Sequence, residues 1–169
     1  MRRLLPFALC LAFAVPVRAA DMNITVEIPT LKVSEYHRPY VAVWIERDNA
    51  TVANLAVWYE MKKGGGEGTK WLKDMRQWWR RGGRDQTMPI DGVSGATRPA
   101  GQHQLHFTDG KAPLGTLAPG HYELVVEAAR EVGGHETQRI AFDWPAKTPQ
   151  HLSAKGGEEL GQISLDINP

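Results

Sequence analysis

The stretch YELVVEAAREVGGHETQRIAFDW, residues 122–144, decides the predicted fold. Its first half places apolar residues at every second position, which is typical of a β-strand with one buried face. Its second half returns with the same period, and its apolar residues are Ile140, Phe142 and Trp144. Gly133-Gly134 lies between the halves, at a position where glycine favours a tight hairpin turn. The stretch therefore predicts a β-hairpin that buries one face.

The period of two recurs along most of the chain. Apolar residues alternate in the segments 24–28, 41–45, 55–59, 105–107 and 163–167. Seven short strands separated by turns predict a mainly β protein, an immunoglobulin- or fibronectin-like β-sandwich. Residues 145–159 lack a clear period, and we expect a polar linker there that leads to the last strand.

One segment has a helical pattern instead. In residues 69–81 the apolar side chains are spaced as on one face of an α-helix: Trp71, Leu72, Met75, Trp78 and Trp79. Thr69 is a candidate N-cap, and Gly82 follows the last turn. We expect one inserted amphipathic helix that packs on the sheet. The glycine-rich residues 64–68 before it predict a flexible loop.

The N-terminus has the organisation of a secretory signal peptide. Arg2 and Arg3 precede an apolar run over residues 4–15, and Val17-Arg18-Ala19 supplies a small-residue cleavage site. The prediction is a signal peptide at residues 1–19, cleaved near residue 19 or 20, and a single domain over 20–169. The alternative, a retained membrane anchor, is disfavoured because the apolar run is shorter than the ~20 residues of a spanning helix.

Cleavage at this site changes the composition of the mature chain. Seventeen Lys and Arg then stand against 19 Asp and Glu, a net charge of −2, and Cys10 is lost. A nucleic-acid partner is not implied by this charge. A cysteine-free exported domain has no disulfides, so it needs a hydrophobic core of its own. We therefore expect a periplasmic protein that is not embedded in the membrane.

The segment Asp91-Gly92-Val93-Ser94-Gly95-Ala96-Thr97 carries the clearest functional motif. It resembles the flavin-attachment motif of the FMN-binding subunits of Rnf and sodium-pumping respiratory complexes. The resemblance implies that a FAD:protein FMN transferase attaches FMN to Thr97 through a phosphoester bond and releases AMP. The implied cofactor-binding residues lie in a loop of about residues 88–101: Asp91, Ser94, Gly95, Ala96, Thr97 and the following Arg98.

The residue types of this motif suit the attachment of FMN to a hydroxyl. The Thr97 hydroxyl must reach a phosphorus atom, so we expect it on an exposed, flexible loop, where Gly95 and Ala96 keep the approach clear. The alternative is that the motif is a polar loop with a glycine turn. Chance occurrence of Ser-Gly-Ala-Thr in a chain of this length is well under about 1%.

A second resemblance covers most of the mature chain. Residues 39–44, 70–72 with 78–79, 94–101, 120–122 and 127–131 are similar to a family of predicted periplasmic proteins of unknown function. Members of that family are associated with PepSY-type membrane reductases and FAD:protein FMN transferases. The resemblance implies a redox role with those two partners. It implies no specific reaction and no catalytic residue, and an electron carrier is favoured over a stand-alone enzyme.

Two other groups of residues are possible ligands. Arg80, Arg81, Arg84 and Arg98 flank the motif in sequence and could neutralise a phosphodiester, or they form a solvated basic face. Whether Trp71, Trp78 or Trp79 stacks on a flavin or packs in the core stays open.

Metal ligation is not expected. His103 and His106 are three residues apart, so on a strand they point to opposite faces and are poorly placed for one ion.

Two functions therefore remain after the sequence analysis. The first is a periplasmic electron-transfer protein that carries covalent FMN on Thr97. The second is a non-catalytic, immunoglobulin-like binding or accessory module in which residues 94–97 form an ordinary loop. The fold does not separate them, because sandwiches host many functions.

Overall fold

Nine β-strands form two sheets in the described residues, 20–62 and 64–169, of a computed structural model. In chain order the strands are β1 (Asp21–Ile28), β2 (Tyr40–Arg47), β3 (Ala50–Tyr59), β4 (Ser94–Ala96), β5 (Gly101–Thr108), β6 (Gly120–Ala129), β7 (His135–Trp144), β8 (Gln150–Lys155) and β9 (Gln162–Asn168). The four-stranded sheet has the order β5-β1-β9-β8, and the five-stranded sheet has the order β4-β3-β2-β6-β7. The predicted signal peptide, residues 1–19, lies outside the described residues.

The predicted sandwich is confirmed, and part of its strand order is shared with immunoglobulin-like domains. The order β3-β2-β6-β7 corresponds to the immunoglobulin strands C′-C-F-G, and β5 beside β1 corresponds to E beside B. The strand β9 pairs antiparallel with the free side of β1 and takes the place of strand A. The hairpin of residues 122–144 is β6 and β7, in which Ala129 lies opposite His135.

Burial differs between the two sheets. The strand β1 alternates strictly between buried and partly exposed residues, because one face of its sheet meets solvent. In contrast, all but the last residue of β2 are buried. Its inner residues, such as Val43, face the four-stranded sheet, and its outer residues, such as Trp44, contact a second apolar cluster. A helical segment covers that outer face.

That helical segment corrects the predicted α-helix over 69–81. A 3-10 helical stretch spans Gly64–Asp74 and is interrupted by a kink at Gly65 and Gly66, whose φ angles of 67° and 72° are not helical. The α-helix α1 spans only Arg76–Arg80, and a 3-10 turn spans Gly83–Asp85. Thr69 does not cap a helix: its hydroxyl donates to the carbonyl of Gly66 at 2.6 Å. The N–H groups of Gln77 and Trp78 are satisfied instead by the carboxylate of Glu127, at 2.9 and 2.7 Å.

The buried residues of this segment follow a period of three. Leu72, Met75 and Trp78 are enclosed, whereas Trp71 is 48% exposed and Trp79 is half-buried. A spacing of three aligns side chains along a 3-10 helix, which has three residues per turn. The prediction of one apolar face was therefore right for three of the five residues and wrong for Trp71.

The predicted polar linker of residues 145–159 is also wrong. It contains β8, which pairs with β9 and forms one edge of the four-stranded sheet. The only apolar side chains of β8 are Leu152 and Ala154, because an edge strand with a solvated face needs few apolar residues. No helix in the described residues is long and apolar enough to cross a membrane.

Candidate functional site

The motif forms a turn followed by the short edge strand β4, rather than a free loop. The strand β4 runs parallel to β3, and Gly95 lies opposite Trp58. Thr97 follows the strand directly, and its N–H donates to the carbonyl of Tyr59 at 3.2 Å. The side chain of Thr97 is partly exposed. The sheet therefore fixes the main chain of the candidate attachment residue, which differs from the expected loop.

A tight turn precedes β4 and accounts for Ser94. The N–H of Ser94 donates to the carbonyl of Ile90 at 2.9 Å, and the Ser94 hydroxyl accepts the N–H of Ile90 at 2.9 Å. Gly92 has a φ of 67°, which glycine adopts without strain. Asp91 is exposed beside it. Asp91 and Ser94 thus belong to one compact turn, in which Ser94 is a structural hydrogen-bond partner.

Gly95 packs closely on Trp58. A Cβ atom at this position would lie 3.2 Å from Cδ1 of Trp58, a ring that is 2% exposed. Ala96, the next residue, is exposed and has no such restriction.

Arg98 is positioned by the same tryptophan. Its guanidinium carbon lies 5.3 Å from the centre of the Trp58 ring, which is within the range of a cation–π contact. The ring of His103 lies against Trp58 at 5.6 Å and 75°, and His103 Nε2 is 2.8 Å from the carbonyl oxygen of Pro99. The segment after Thr97 is therefore held on both sides, and a positive charge is fixed one residue from the candidate hydroxyl.

The other arginines do not join this site. Arg81 donates to the carbonyl and side-chain oxygens of Asn49 at 2.7 and 3.1 Å and lies 3.5 Å from Glu46. Arg84 lies 3.8 Å from Asp85, and Arg80 donates to the carbonyl of Arg76. Of the four arginines, only Arg98 is brought to the motif by a contact.

One open cavity is lined by motif residues, and a second lies at the end of the five-stranded sheet where Thr97 follows β4. The first lies between the edges β4 and β5, measures about 310 Å³, and is lined by motif residues, Trp58, Arg98 and His106. The second, termed here the Trp71 cleft, measures about 230 Å³ at the end of the five-stranded sheet where β4 stops. Its walls include Arg38, Tyr40, Glu60, Trp71, Arg130 and Val132. Sequence reasoning missed this cleft because its walls come from four separate segments.

Buried carboxylates were also missed. Glu46, Glu127 and Glu159 are almost fully enclosed, and each has cationic or N–H partners. Arg130 donates twice to Glu159, at 2.8 and 3.0 Å, and this contact raises the pKa of Arg130. Burial raises the pKa of Tyr40 to about 12, so its hydroxyl stays protonated and donates to the carbonyl of Gly68 at 3.1 Å. Glu46 and Glu127 alternate with the inward-facing residues of β2 and β6, so the sequence predicts that they are exposed to solvent. The sequence does not show that a helical segment covers this outer face.

The histidines are dispersed over the sandwich. His103 contacts Trp58, whereas His106 Nδ1 lies 2.7 Å from the side-chain oxygen of Asn23. His135 pairs with Glu127. The described residues contain no group of three potential metal ligands.

Comparison with known families gives a clear result over nearly the whole sandwich. Residues 21–162 match the family described as "Predicted periplasmic protein (DUF2271)". The chain belongs to this family. The match begins at the first residue of β1 and ends at the first residue of β9. No curated protein and no solved structure matches the chain.

Family membership settles the compartment. The protein is periplasmic, as the export signal predicts. The family description names no reaction, ligand or partner.

Proposed function

We propose that this protein is a periplasmic electron carrier that holds FMN covalently through the hydroxyl of Thr97. The motif from Asp91 to Thr97 carries the proposal, because its residue types match those that FMN transferases modify. The placement of Thr97 supports it: the residue ends an edge strand, is partly exposed and has a fixed main chain. A partly exposed hydroxyl at an edge is open to a modifying enzyme.

The attachment reaction requires few groups from this chain. A bond forms between Thr97 Oγ1 and the FMN phosphorus of FAD, the pyrophosphate bond breaks, and AMP leaves. The FAD:protein FMN transferase and its metal supply the charge stabilisation for such a step. The role of this chain is to present the hydroxyl, and Gly95 and Ala96 leave the approach free of side chains.

Arg98 fits the product of that reaction. A phosphodiester keeps one negative charge, and an arginine neighbour stabilises it by charge-assisted hydrogen bonds. The contact of Arg98 with Trp58 limits its side-chain conformations, so less entropy is lost when it binds an anion. Arg98 is therefore the residue that would neutralise the attached phosphate.

Bound FMN would supply one- and two-electron redox chemistry, while the protein sets its position and potential. A PepSY-type membrane reductase is the proposed electron donor, on the basis of the resemblance described above. Covalent attachment suits the periplasm because a tethered cofactor is not lost by diffusion.

An accessory binding module is the second candidate, and one observation favours it. Ser94 and Gly95 each have a structural role, in the turn and in packing on Trp58, that requires no flavin. A sandwich with this edge strand would keep both residues for stability alone. Thr97 has no comparable structural role for its hydroxyl in the hydrogen bonds of the described residues.

Three variants separate the candidates. The exported protein is co-expressed with an FMN transferase, and flavin fluorescence is read after denaturation on a gel. Thr97→Ala should abolish the signal, Thr97→Ser should keep part of it, and Ser94→Ala should reduce it because the turn loosens. A fluorescent Thr97→Ala band would exclude Thr97 as the attachment residue.

A further inference from the structure

We propose that the Trp71 cleft receives the isoalloxazine ring of the FMN carried by Thr97, with Trp71 as the stacking partner. The inference rests on the proposed function and adds to it the position of the ring.

The strand topology connects Thr97 to the cleft. The N–H of Thr97 donates to the carbonyl of Tyr59, and Glu60, the next residue on that chain, is part of the cleft wall. Because β4 is parallel to β3 and β2 is antiparallel to it, β4 and β3 end where β2 begins. The strand β6 ends at the same place, next to Arg130. The attachment residue and the cleft therefore share one end of one sheet.

The exposed surface of the cleft has the character of a site for a flat ring. Trp71 is 48% exposed, and it is the most exposed tryptophan among the described residues. Burial of an aromatic ring against a flat ligand recovers the cost of such exposure. Val132 is 75% exposed and adds a second apolar surface.

Polar groups of the cleft match the other half of the ring system. An isoalloxazine has one apolar dimethylbenzene edge and one edge of carbonyl and N–H groups. Arg38 and Arg130 provide donors in the cleft, and Asp74 provides an acceptor. The Nη1 of Arg130 is buried and has no hydrogen-bond partner within the described part of the chain. The other guanidinium nitrogens of Arg130 donate to Glu159, so a ligand carbonyl that reached Nη1 would satisfy its one unpaired donor atom.

The volume of the cleft suits the isoalloxazine ring and not the whole FMN. Pockets that enclose a complete small ligand measure about 300–1,000 Å³. A cleft of about 230 Å³ takes a ring and leaves the ribityl phosphate outside, on the path to Thr97.

The other tryptophans are not available. Trp78 is 1% exposed, and its indole N–H donates to Asn54 at 2.9 Å. Trp58 is 2% exposed, with Arg98 over its face and His103 against it. Trp79 is half-buried and lies against Trp78, with ring centres 6.4 Å apart. Lys73 Nζ lies 6.0 Å from the centre of the Trp71 ring, on the solvent side of the segment.

The test compares flavin fluorescence among flavinylated variants whose FMN content is matched by intact mass. Tryptophan stacked on a flavin quenches its emission by electron transfer, so Trp71→Ala should raise the fluorescence per FMN at least about two-fold. Trp71→Phe keeps a stacking face and should give an intermediate value. Met61→Ala is the matched control, because Met61 is an exposed apolar residue outside the cleft wall. Equal fluorescence in wild type and Trp71→Ala, at full FMN content, would overturn the inference.

A second arm separates this inference from the proposed function. Unmodified Thr97→Ala protein is titrated with riboflavin, which has the ring but no phosphate. We expect saturable binding that Trp71→Ala weakens by about 2- to 10-fold, the value of one aromatic stack. Absence of FMN in wild type, with riboflavin binding that depends on Trp71, would remove the attachment and keep the ring site. Riboflavin binding that is absent or independent of Trp71 would count against the ring site.

Discussion

Gly95 packs closely on the ring of Trp58. A Cβ atom added at Gly95 would lie 3.2 Å from Cδ1 of Trp58, which is closer than an ordinary van der Waals contact. Sequence patterns identified Gly95 as part of a flavin motif but not as a packing residue. The contact depends on the parallel register of β4 on β3, and that register links residues 37 positions apart.

Gly95→Ala tests this contact. The added methyl group should shift β4 or the Trp58 ring, at a cost of about 1–3 kcal/mol of unfolding free energy. It should also lower FMN attachment, because Thr97 follows the displaced strand. Denaturant titration and intact mass are the measurements. Ala96→Ser, on the exposed position next to it, is the control and should change neither; an unchanged Gly95→Ala protein would show that the edge strand has room.

Among the secondary-structure elements, the helical segment shows what the spacing of apolar residues predicts and what it does not. The pattern of Trp71, Leu72, Met75, Trp78 and Trp79 correctly predicted a helical element on the sheet. Its type was missed, because a 3-10 stretch and an α-helix differ only slightly in period. The carboxylate of Glu127, on β6, caps the segment from another element, and no local pattern contains that information.

The two tryptophans of this segment should behave differently. Trp78→Ala removes an enclosed ring and should cost about 3–5 kcal/mol of unfolding free energy. Trp71→Ala removes an exposed ring and should stay within about 0.5 kcal/mol of wild type. Denaturant titration of unmodified protein measures both. A loss of several kcal/mol for Trp71→Ala would mean that this ring packs in the core and is not free to bind a ligand.

Two of the four edge strands in the described residues, β4 and β8, were missed by the sequence analysis, whereas the edge strands β5 and β7 were predicted. The strands β4 and β8 have few apolar residues, since each has a neighbour on one side only and a solvated face. Central strands such as β1 and β6 were recognised because burial imposes a period of two on them.

For the whole molecule, the carboxylate of Glu136 is one of the connections between the two sheets. Glu136, at the start of β7, accepts the N–H groups of Gly157, Glu158, Glu159 and Leu160 at 2.7–3.0 Å. Those residues form the connection between β8 and β9 in the other sheet. Burial opposes ionisation, but the hydrogen bonds prevail and lower the pKa of Glu136 to about 2 from its ordinary 4.5.

This shift predicts an acid dependence of stability. Because the folded state holds Glu136 ionised, its contribution is complete above pH 4.5 and is lost as the pH falls towards 2. Glu136→Gln should lower the unfolding free energy at neutral pH by about 1–3 kcal/mol and flatten its fall between pH 4.5 and 2. Glu158→Gln, an exposed carboxylate in the same connection, is the control. Equal acid profiles for wild type and Glu136→Gln would contradict the assignment.

The attachment of FMN to Thr97 is tested most directly by the intact mass of the wild-type protein. The protein is co-expressed with an FMN transferase, exported and purified from the periplasm. The account predicts an added mass of one FMN less one water, located on the peptide that contains Thr97. An unmodified mass, from cells shown to flavinylate another exported protein, would contradict it.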